Sequence, residues 1–433
     1  MNLLHANDRQ GEYPPSYYAA TATPLAPFPP LKGAATADIC VVGAGYTGLS
    51  AALHLAQRGL SVIVIDAHRV GFGASGRNGG QVGSGQRRDQ QDLERMVGKT
   101  RARALWAMGE EAKALVASLV AQHAMPVTLH PGVAHACRNE ADLAHARSEA
   151  DHLAKDYAYT KVETLDRPAF HALVGSKAFV GGTLDHGAGH MHPLNFCIGL
   201  AQAALAAGVR IHERTEAVQV RPGLRPVVQT TSGAVTCDHV ILAGNGYLGS
   251  LAPKVAARVM PINNFIIATE PLGERAASVL SRNVAVADSR FVVNYWRLSD
   301  DNRLLFGGGE SYGYRFPDII RTVTKPMLEI YPQLRDTRID HAWGGTLAIT
   351  TNRMPAWIRA ERNIWAASSC SGHGVAMSTL SGRILAEAVA GQAERFDLMA
   401  TIPQARFPGG AALRWPLLAL AMTWYAMRDR LGV

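Results

Sequence analysis

The sequence is 433 residues long, 48% of them apolar, and carries a formal net charge of +8 at pH 7. This length exceeds what one simple core fills, and the composition excludes a fibrous or disordered chain, so we expect a globular protein of two interlocked domains. The positive charge forms no long basic run and no basic stripe interleaved with aromatic residues, which disfavours nucleic-acid binding. We ascribe some of the arginines to an anionic cofactor and substrate.

The five cysteines are odd in number, scattered and form no C-x-x-C pair. We therefore expect neither a disulfide framework nor a zinc site, and a reducing, cytoplasmic location fits. The first residues turn polar at once, so no signal peptide is expected. The most apolar late segment, residues 415–427, is shorter than the roughly 20 residues of a membrane-spanning helix. We expect it to be a docked terminal helix, with no stable membrane span.

Residues 1–32 are rich in proline and tyrosine and predict an extended arm laid over the surface. A complete βαβ unit follows in residues 38–66. Its first apolar strand ends at Gly43-x-Gly45-x-x-Gly48, a helical pattern of apolar residues comes next, and the second strand closes at Asp66. This arrangement is typical of a dinucleotide-binding unit.

Each glycine of this motif has a steric role. Gly43 makes the tight turn, Gly45 lets a pyrophosphate approach the backbone, and Gly48 lets the helix pack closely on the strand. The helix N-terminus offers N–H groups and a partial positive charge to the phosphates. Asp66 is suited to ribose hydroxyls, although Arg69 leaves room for the 2′-phosphate of NADP. The predicted dinucleotide site also includes Ala44, Tyr46, Thr47 and Ala67.

The later elements follow from periodicity and from turn residues. A second glycine cluster, residues 71–81, follows the βαβ unit. Residues 127–136 predict a strand pair with Pro131-Gly132 as its turn. Helices are predicted at 91–125, 141–157, 194–207 and 375–390, and strands at 209–211, 227–231, 237–242, 265–269, 291–296, 303–306 and 364–367.

Motifs from nearly the whole chain resemble one superfamily. They are Gly73-Ala74-Ser75-Gly76-Arg77-Asn78-Gly79-Gly80-Gln81, Gly189-His190-Met191-His192-Pro193, Leu304-Leu305-Phe306-Gly307-Gly308-Gly309 and Ser371-Gly372-His373-Gly374-Val375. With them, the chain resembles the D-amino-acid-oxidase/sarcosine-oxidase superfamily of flavin enzymes. The arm and the residues 428–433 narrow the resemblance to the bacterial gamma-glutamylputrescine oxidases. Two positions depart from the family pattern: Cys370 replaces an aromatic residue, and Tyr295-Trp296-Arg297 replaces Tyr-Tyr-Arg.

The pattern and the resemblance together predict an α/β (α+β composite) fold. A Rossmann-like FAD-binding domain carries an inserted substrate domain with a mainly antiparallel sheet. The FAD-binding domain is expected at 33–90, 181–250 and 340–395, the substrate domain at 91–180 and 251–339, and a C-terminal helical tail at 396–433.

The resemblance implies that FAD is the cofactor and is held at both ends. The second glycine cluster is expected along the pyrophosphate, the ribityl chain and the ring, with Arg77 as a fixed cation. The 371–376 turn opens a helix whose N–H groups and dipole stabilise the negative charge of reduced flavin. Expected cofactor contacts beyond the βαβ unit are Gly73, Ala74, Ser75, Gly76, Arg77, Asn78, Gly79, Gly80, Gln81, Val218, Ala243, Gly244, Ser371, Gly372, His373, Gly374, Val375 and Ala376.

Tyr295 and Arg297 alternate along a strand and so face the same side of the sheet. If that face looks at the flavin, Arg297 pairs with a substrate carboxylate and Tyr295 closes the pocket. The alternative is a surface pair on a solvated face. His373 is a candidate base or a polar contact. Cys370 is either a covalent flavin tether or a space-filling residue. No metal is expected, because His186, His190 and His192 have loop spacing and the family uses none.

The expected reaction is oxidation of a C–N bond of gamma-glutamylputrescine or a similar carboxylate-bearing amine. It comprises hydride transfer to flavin, hydrolysis of the imine and reoxidation by oxygen to hydrogen peroxide. Two alternatives stay open. One is an oxidase or dehydrogenase of a small secondary amino acid such as pipecolate or sarcosine. The other is a flavoprotein that passes electrons to another carrier. The sequence leaves the oligomeric state open.

Overall fold

The computed structural model describes residues 2–311 and 313–408. Within these residues the strands form sheets of six, nine and four strands. The six-stranded sheet consists of β2 (Ile39–Val42), β3 (Val62–Ile65), β8 (Arg210–His212), β12 (His239–Leu242), β18 (Ala356–Glu361) and β19 (Ile364–Ser368). Its order is β18-β19-β12-β2-β3-β8, and every neighbouring pair except β18 and β19 is parallel.

The interior strands β2 and β3 are apolar at every position because both faces of the sheet are covered. Ile39 and Val41 of β2 pack in the same core as α2 (Tyr46–Ala56), α7 (Pro193–Ala206) and α10 (Gly374–Val389). Cys40 and Val42 face the opposite core, which includes Val228 of the four-stranded sheet. That small sheet contains β1 (Gly33–Thr36), β9 (Ala217–Arg221), β10 (Val227–Thr230) and β11 (Gly233–Thr236).

The nine-stranded sheet is the inserted, mainly antiparallel layer. On one face, Trp296 and Phe306 pack in a core with α6 (Arg167–Val174) and α9 (Ile319–Ile330). Tyr295 and Arg297 alternate with Trp296 and therefore belong to the opposite face. The strands are β4 (Gln81–Val82), β5 (His130–Cys137), β6 (Val162–Leu165), β7 (Gly181–His190), β13 (Met260–Thr269), β14 (Ala285–Asp288), β15 (Tyr295–Leu298), β16 (Leu304–Ser311) and β17 (Ile339–Ile349).

One of the predicted helices is divided in the structure. The helix predicted over 91–125 is two helices, because Gly98 has a φ of 82° and interrupts the backbone. The bounds are α1 (Tyr17–Thr21), α3 (Gln90–Val97), α4 (Lys99–Gln122), α5 (Glu140–Tyr157), α8 (Pro253–Ala256) and α11 (Glu394–Ala400).

The strand pair predicted over 127–136 is wrong. The segment is one strand, β5, which pairs with β7 on one side and β14 on the other. The register shifts between Pro131 and Val133, and Gly132 has a φ of 101°. The Pro-Gly pair therefore marks a bulge within a strand, where the sequence signal resembles that of a turn.

Strand pairing also bears on the predicted domain boundaries. Residues 181–190, grouped in the prediction with the FAD-binding domain, form β7 and pair with β5 in the large sheet. The β17 strand, which begins beside the predicted boundary at 340, pairs with β13 of the same sheet. The predicted apolar tail segment at 415–427 lies outside the described residues.

The N-terminal arm is more than an extended strap. It contains the short helix α1, and Tyr18 of that helix is fully buried. The Tyr18 ring lies edge-on to Trp343 with centroids 5.2 Å apart. The arm therefore contributes to the core beside the large sheet.

Candidate active site

Three turns meet at the carboxyl edge of the six-stranded sheet, after the neighbouring strands β2, β12 and β19. A β-carbon on Gly43 would lie 2.8 Å from the Ala243 carbonyl oxygen, so the first two turns touch. Asn245 Oδ1 accepts hydrogen bonds from Ser368 Oγ and Ser369 N, both at 3.1 Å. The glycine turns that the sequence separates by more than 300 residues thus share one edge. Ligands of open α/β sheets bind at such an edge.

The first turn brings backbone and helix together as the glycine pattern requires. Gly43 has a φ of 113°, which favours glycine. A β-carbon on Gly48 would collide with the Gly43 carbonyl oxygen. The N-cap residue of α2 is Gly45, which has no side chain to cap the helix, and Tyr46 N donates to Ser75 Oγ. The remaining first-turn N–H groups of α2 and its partial positive charge are suited to an anion.

Asp66 lies at the end of β3, beside the first turn. Its carboxylate accepts hydrogen bonds from Ala44 N at 2.7 Å and from His68 N at 2.8 Å. Desolvation by burial raises the pKa of Asp66 to about 6, although both hydrogen bonds lower it. The carboxylate is ionised at neutral pH and can accept further hydrogen bonds from hydroxyl groups.

The second glycine cluster folds back over the start of α2. Ser75 Oγ accepts a hydrogen bond from Tyr46 N at 3.1 Å. Asn78 Nδ2 donates to the carbonyl oxygens of Ala74 and Ser75, and its Oδ1 accepts from Gly80 N at 2.7 Å. These bonds hold the cluster in one conformation against the first turn.

Arg77 is directed toward the arm and the large sheet. Its Nη1 bonds to the Asp8 carboxylate at 3.0 Å and to the Gly344 carbonyl oxygen at 2.9 Å. Its Nε donates to the Phe72 carbonyl oxygen at 2.6 Å, and the guanidinium lies 4.3 Å from the Phe72 ring centroid. Its Nη2 is buried and has no hydrogen-bond partner within the described part of the chain.

The 371–376 turn opens α10 as the sequence predicts. Ser371 and Gly372 have φ values of 48° and 94°, and His373 N donates to the Cys370 carbonyl oxygen at 2.8 Å. Among residues 2–311 and 313–408, no side chain caps the N-terminus of α10. Its first-turn N–H groups and dipole therefore face the same sheet edge as those of α2.

His373 packs on the backbone that follows the second glycine cluster. A β-carbon on Gly83 would lie 2.9 Å from His373 Nε2. Desolvation by burial, followed by the charge of Arg87, lowers the pKa of His373 to about 4. The imidazole is neutral at pH 7 and is a weak base. Its assignment as a catalytic residue stays a prediction.

Tyr295 and Arg297 both lie against the second glycine cluster. A β-carbon on Gly79 would be 2.8 Å from the Tyr295 ring, and the Tyr295 hydroxyl donates to Asn264 Oδ1 at 2.6 Å. The Arg297 guanidinium donates to the carbonyl oxygens of Gly79 at 3.0 Å and Met191 at 3.2 Å. Arg297 is only 5% exposed, so the pair is not on a solvated face. Its pairing with a substrate carboxylate stays a prediction.

Two further residues predicted to contact FAD, Val218 and Arg69, lie away from the glycine turns or are bound to other groups. Val218 lies on β9 of the small sheet and is 52% exposed. The backbone that contacts Asp66 is that of Thr215, three residues before Val218. Thr215 N donates a hydrogen bond to the Asp66 carbonyl oxygen at 2.7 Å. Arg69 pairs with Glu213 at 3.3 Å and donates to the Leu25 carbonyl oxygen at 2.6 Å.

A polar network beside His373 has no counterpart among the predicted site residues. Ser84 Oγ and the Tyr159 hydroxyl donate to the two carboxylate oxygens of Asp185, at 2.5 and 2.6 Å. Lys113 Nζ donates to Ser84 Oγ at 2.5 Å. The sequence signal that could have indicated Ser84 is the continuation of the glycine-rich stretch through Gly83-Ser84-Gly85. The residues that bond to Ser84 come from helices and strands distant in the sequence.

The histidines and Cys370 have ordinary structural contacts. His186 pairs with Glu163 at 2.8 Å, and His192 caps α7 by accepting from Asn195 N at 3.1 Å. No cluster of potential metal ligands occurs in residues 2–311 and 313–408. Cys370 Sγ lies 3.2 Å from Ser378 Oγ, and burial raises the pKa of the thiol to about 11.

Comparison with known proteins identifies the family. Residues 38–388 match the model of the family described as FAD dependent oxidoreductase. Gamma-glutamylputrescine oxidoreductase of Escherichia coli (strain K12) is 42% identical over 425 residues, which are 98% of this chain and 100% of that relative. The probable oxidoreductase OrdL of Rhizobium meliloti (strain 1021) is 40% identical over 96% of this chain and 97% of its own length. The chain belongs to the FAD-dependent oxidoreductase family.

Solved structures support the fold. The glycine oxidase of Geobacillus kaustophilus superposes with a TM-score of 0.71 over 86% of this chain and 100% of that chain, at 20% identity. The L-proline dehydrogenase of P. horikoshii gives a TM-score of 0.67 over 84% of this chain and 94% of its own, also at 20% identity. The predicted fold class, enzyme class and FAD cofactor are confirmed. No helix within the described ranges is long and apolar enough to cross a membrane.

The sheet edge fits FAD in three respects. Two helices direct their N-termini at it, Asp66 supplies a partly buried carboxylate, and Gly45 leaves room where a β-carbon would lie 2.7 Å from Ser75 Oγ. The first turn and α2 suit the pyrophosphate, and Asp66 suits the ribose. The second glycine cluster and the 371–376 turn suit the rest of the cofactor. The contact of each individual residue with FAD stays a prediction.

Proposed function

We propose that this protein oxidises the primary amine of gamma-glutamylputrescine, or of a similar carboxylate-bearing amine, with oxygen as electron acceptor. The net reaction consumes the amine, oxygen and water and yields the aldehyde, ammonia and hydrogen peroxide. The observation that carries the substrate class is the full-length similarity, at 42% identity, to a relative named gamma-glutamylputrescine oxidoreductase. A cytoplasmic location stays a prediction from the scattered cysteines.

Bound FAD would supply an electron acceptor for the hydride equivalent of the carbon next to nitrogen, so the protein need not supply a strong acid–base pair. The residues of the chain bind, orient and stabilise. The N-terminus of α10 offers backbone N–H groups and a dipole to developing negative charge. We assign Tyr295 and the neutral His373 to excluding water from this part of the site.

The proposal also needs the amine to be neutral when it is oxidised. The polar network of Ser84, Lys113, Tyr159 and Asp185 lies beside His373 and contains both proton donors and acceptors. We assign it to holding the proton that the substrate ammonium releases.

Anaerobic reduction tests the proposed function. Purified, FAD-loaded protein is mixed without oxygen with gamma-glutamylputrescine, putrescine, pipecolate or sarcosine, and the flavin absorbance is followed. We expect fast bleaching by gamma-glutamylputrescine, and formation of hydrogen peroxide once air is admitted. Bleaching by pipecolate or sarcosine alone would contradict the substrate. Bleaching without peroxide in air would contradict oxygen as acceptor and favour another electron carrier.

A further inference from the structure

The first residues of the arm contact the backbone on one side of Asp66. His68 N donates to the Asp66 carboxylate at 2.8 Å, and the His68 side chain is buried. Its ring bonds twice to the arm, because Nε2 donates to the Leu4 carbonyl oxygen at 2.7 Å and Nδ1 accepts from Gly11 N at 3.3 Å. The arm therefore lies over the segment that leads from Asp66 to the second glycine cluster.

The same part of the arm also reaches the backbone on the other side of Asp66. Thr215 N donates to the Asp66 carbonyl oxygen at 2.7 Å, and Glu216 is the next residue. The Glu216 carboxylate accepts hydrogen bonds from Asn2 Nδ2 at 3.2 Å and from His5 Nε2 at 2.9 Å. The first turn of the arm thus bridges the two segments that border Asp66.

The residues that follow this turn anchor the arm more deeply. The Asp8 carboxylate bonds to Arg77 Nη1 at 3.0 Å, and the Arg77 side chain is only 2% exposed. The Asn7 amide bonds through both its nitrogen and its oxygen to the segment after β16, each at 2.8 Å. These bonds hold residues 7 and 8 in place and leave residues 2–6 as a short chain end, which we call the latch.

The latch is attached less firmly than its anchor. None of residues 2–6 is buried, and the two bonds to Glu216 are exposed. Exposed polar contacts contribute little to stability, so a chain end held by them opens locally at a small part of the free energy of global unfolding. The latch can therefore detach while Asp8 keeps its ion pair with Arg77.

The position of the latch relates it to the cofactor. Asp66 suits the ribose, so the adenosine end of FAD belongs beside the two segments that the latch bridges. We propose that the latch closes over the adenosine end of the FAD site and has to detach before FAD can enter or leave. Such a gate slows binding and release alike and changes the affinity little, because it acts on cofactor-free and loaded protein. The inference concerns FAD alone and is independent of the amine that is oxidised.

Deletion of residues 2–6 tests the latch, because the shortened chain keeps Asn7, Asp8 and their bonds. Binding of FAD to cofactor-free protein and its release from loaded protein are followed by flavin fluorescence. We expect both rate constants to rise about 10-fold, the closed-to-open ratio that a few exposed polar bonds maintain. The equilibrium dissociation constant should change by less than about 3-fold, since the two rates rise together.

Two other results would overturn the proposal. Faster release with unchanged binding would make residues 2–6 an ordinary contact of FAD, and two unchanged rates would mean that FAD passes the closed arm. The double variant Asn2→Ala/His5→Ala removes both side-chain bonds to Glu216 without shortening the chain. It should raise both rates in the same proportion, by a smaller factor than the deletion does.

Two controls separate the latch from general effects. Glu12→Ala changes an exposed arm residue whose ion pair is with Arg9, at 4.0 Å, and should leave both rates unchanged. Tyr331→Phe removes hydrogen bonds to the Val174 and Val279 carbonyl oxygens, at 2.8 and 3.1 Å, in the core on the other face of the large sheet. It lowers stability without altering the arm. An equal rise of both rates in Tyr331→Phe would assign the effect to stability and overturn the latch.

Discussion

At the scale of single residues, the ionised carboxylate of Asp66 lowers the stability of the fold but serves ligand binding. Burial raises its pKa to about 6, above the ordinary value of 3.8. The folded state therefore holds a proton between these values that the unfolded state has released. The contribution of Asp66 to the free energy of unfolding falls as pH rises from about 4 to about 6 and is constant above that. At neutral pH the ionised carboxylate costs stability and provides a hydrogen-bond acceptor.

Asp66→Asn tests this conflict. We expect the cofactor-free variant to gain stability relative to native protein as pH rises from about 4.5 to 6.5, by about 1–2 kcal/mol once the lost acceptor is discounted. FAD should dissociate more readily, because the amide accepts fewer hydrogen bonds. Calorimetric melting at several pH values and flavin fluorescence measure the two effects. Asp336→Asn, at an exposed position, is the control. A pH-independent difference in melting temperature would refute the role of burial.

Arg297 shows how a residue can be located correctly while its role stays open. The alternation of Tyr295 and Arg297 predicted that both face one side of the sheet, and both lie against Gly79. Sequence periodicity did not indicate that the Arg297 donors reach the carbonyl oxygens of Gly79 and Met191. Those acceptors come from segments distant in the sequence, so the hydrogen bonds of the Arg297 guanidinium depend on the tertiary structure.

At the scale of elements, the contact between α2 and α10 sets the position of both helix N-termini. A β-carbon on Gly382 of α10 would collide with the Thr47 carbonyl oxygen of α2 and would lie 2.7 Å from Ala51 N. These are backbone atoms and cannot move without moving the helix. The packing of α10 on α2 is thus fixed close to the turns that the sequence assigns to FAD.

We expect Gly382→Ala to separate the two helices. Overpacking of this kind costs about 1–3 kcal/mol, and it should also weaken FAD binding because both N-termini shift. Chemical unfolding and the FAD dissociation constant are the measurements. Gly223→Ala is the control, since its added carbon has its nearest contact at 3.6 Å. Unchanged FAD affinity alongside reduced stability would show that the helix contact is independent of the site.

Local sequence patterns predicted some elements better than others. The helices α5, α7 and α10 begin and end within one residue of their predicted positions, because Pro, Gly or Asn residues mark their ends. The segment around Pro131-Gly132 was misassigned as a turn. There, pairing with β7 and β14 outweighs the local dipeptide signal. Short-range signals fail where long-range pairing decides the backbone path.

At the scale of the whole molecule, the arm connects both domains. Asp8 pairs with Arg77 of the second glycine cluster at 3.0 Å, and their side chains are 14% and 2% exposed. Asn7 bonds on both sides to the substrate-side loop, donating to the Tyr314 carbonyl oxygen and accepting from Phe316 N, each at 2.8 Å. The arm thus links the cofactor-side backbone to the segment after β16.

Asp8→Ala should destabilise the protein by about 3 kcal/mol, because removing one partner of a buried ion pair leaves the other charge uncompensated. Glu12→Ala is the control, since Glu12 is 63% exposed and pairs with Arg9 at 4.0 Å. Urea unfolding of both variants measures the difference. A loss no larger than that of the control would mean that Arg77 finds enough stabilisation in carbonyl oxygens and in the cofactor.

The sequence predicted the shared sheet edge but not the whole site. The glycine turns and Asp66 were recognisable because phosphate binding demands particular backbone geometry near a strand end. The network of Ser84, Lys113, Tyr159 and Asp185 was not recognisable, because its members come from distant segments and meet only in the folded chain. The sequence also did not indicate that β7 and β17 pair within the large sheet, because their partners, β5 and β13, are distant along the chain.

The order β19-β12-β2 has a consequence for biosynthesis. Of these three strands, β2 is synthesised first. The sheet edge beside it is complete only after β12, and then β19 and α10, have been synthesised, more than 300 residues later. A nascent chain that ends before residue 364 would contain the turn suited to the phosphates but would lack β19 and the 371–376 turn. Binding of the flavin along its whole length is therefore expected only after synthesis has passed the 371–376 turn.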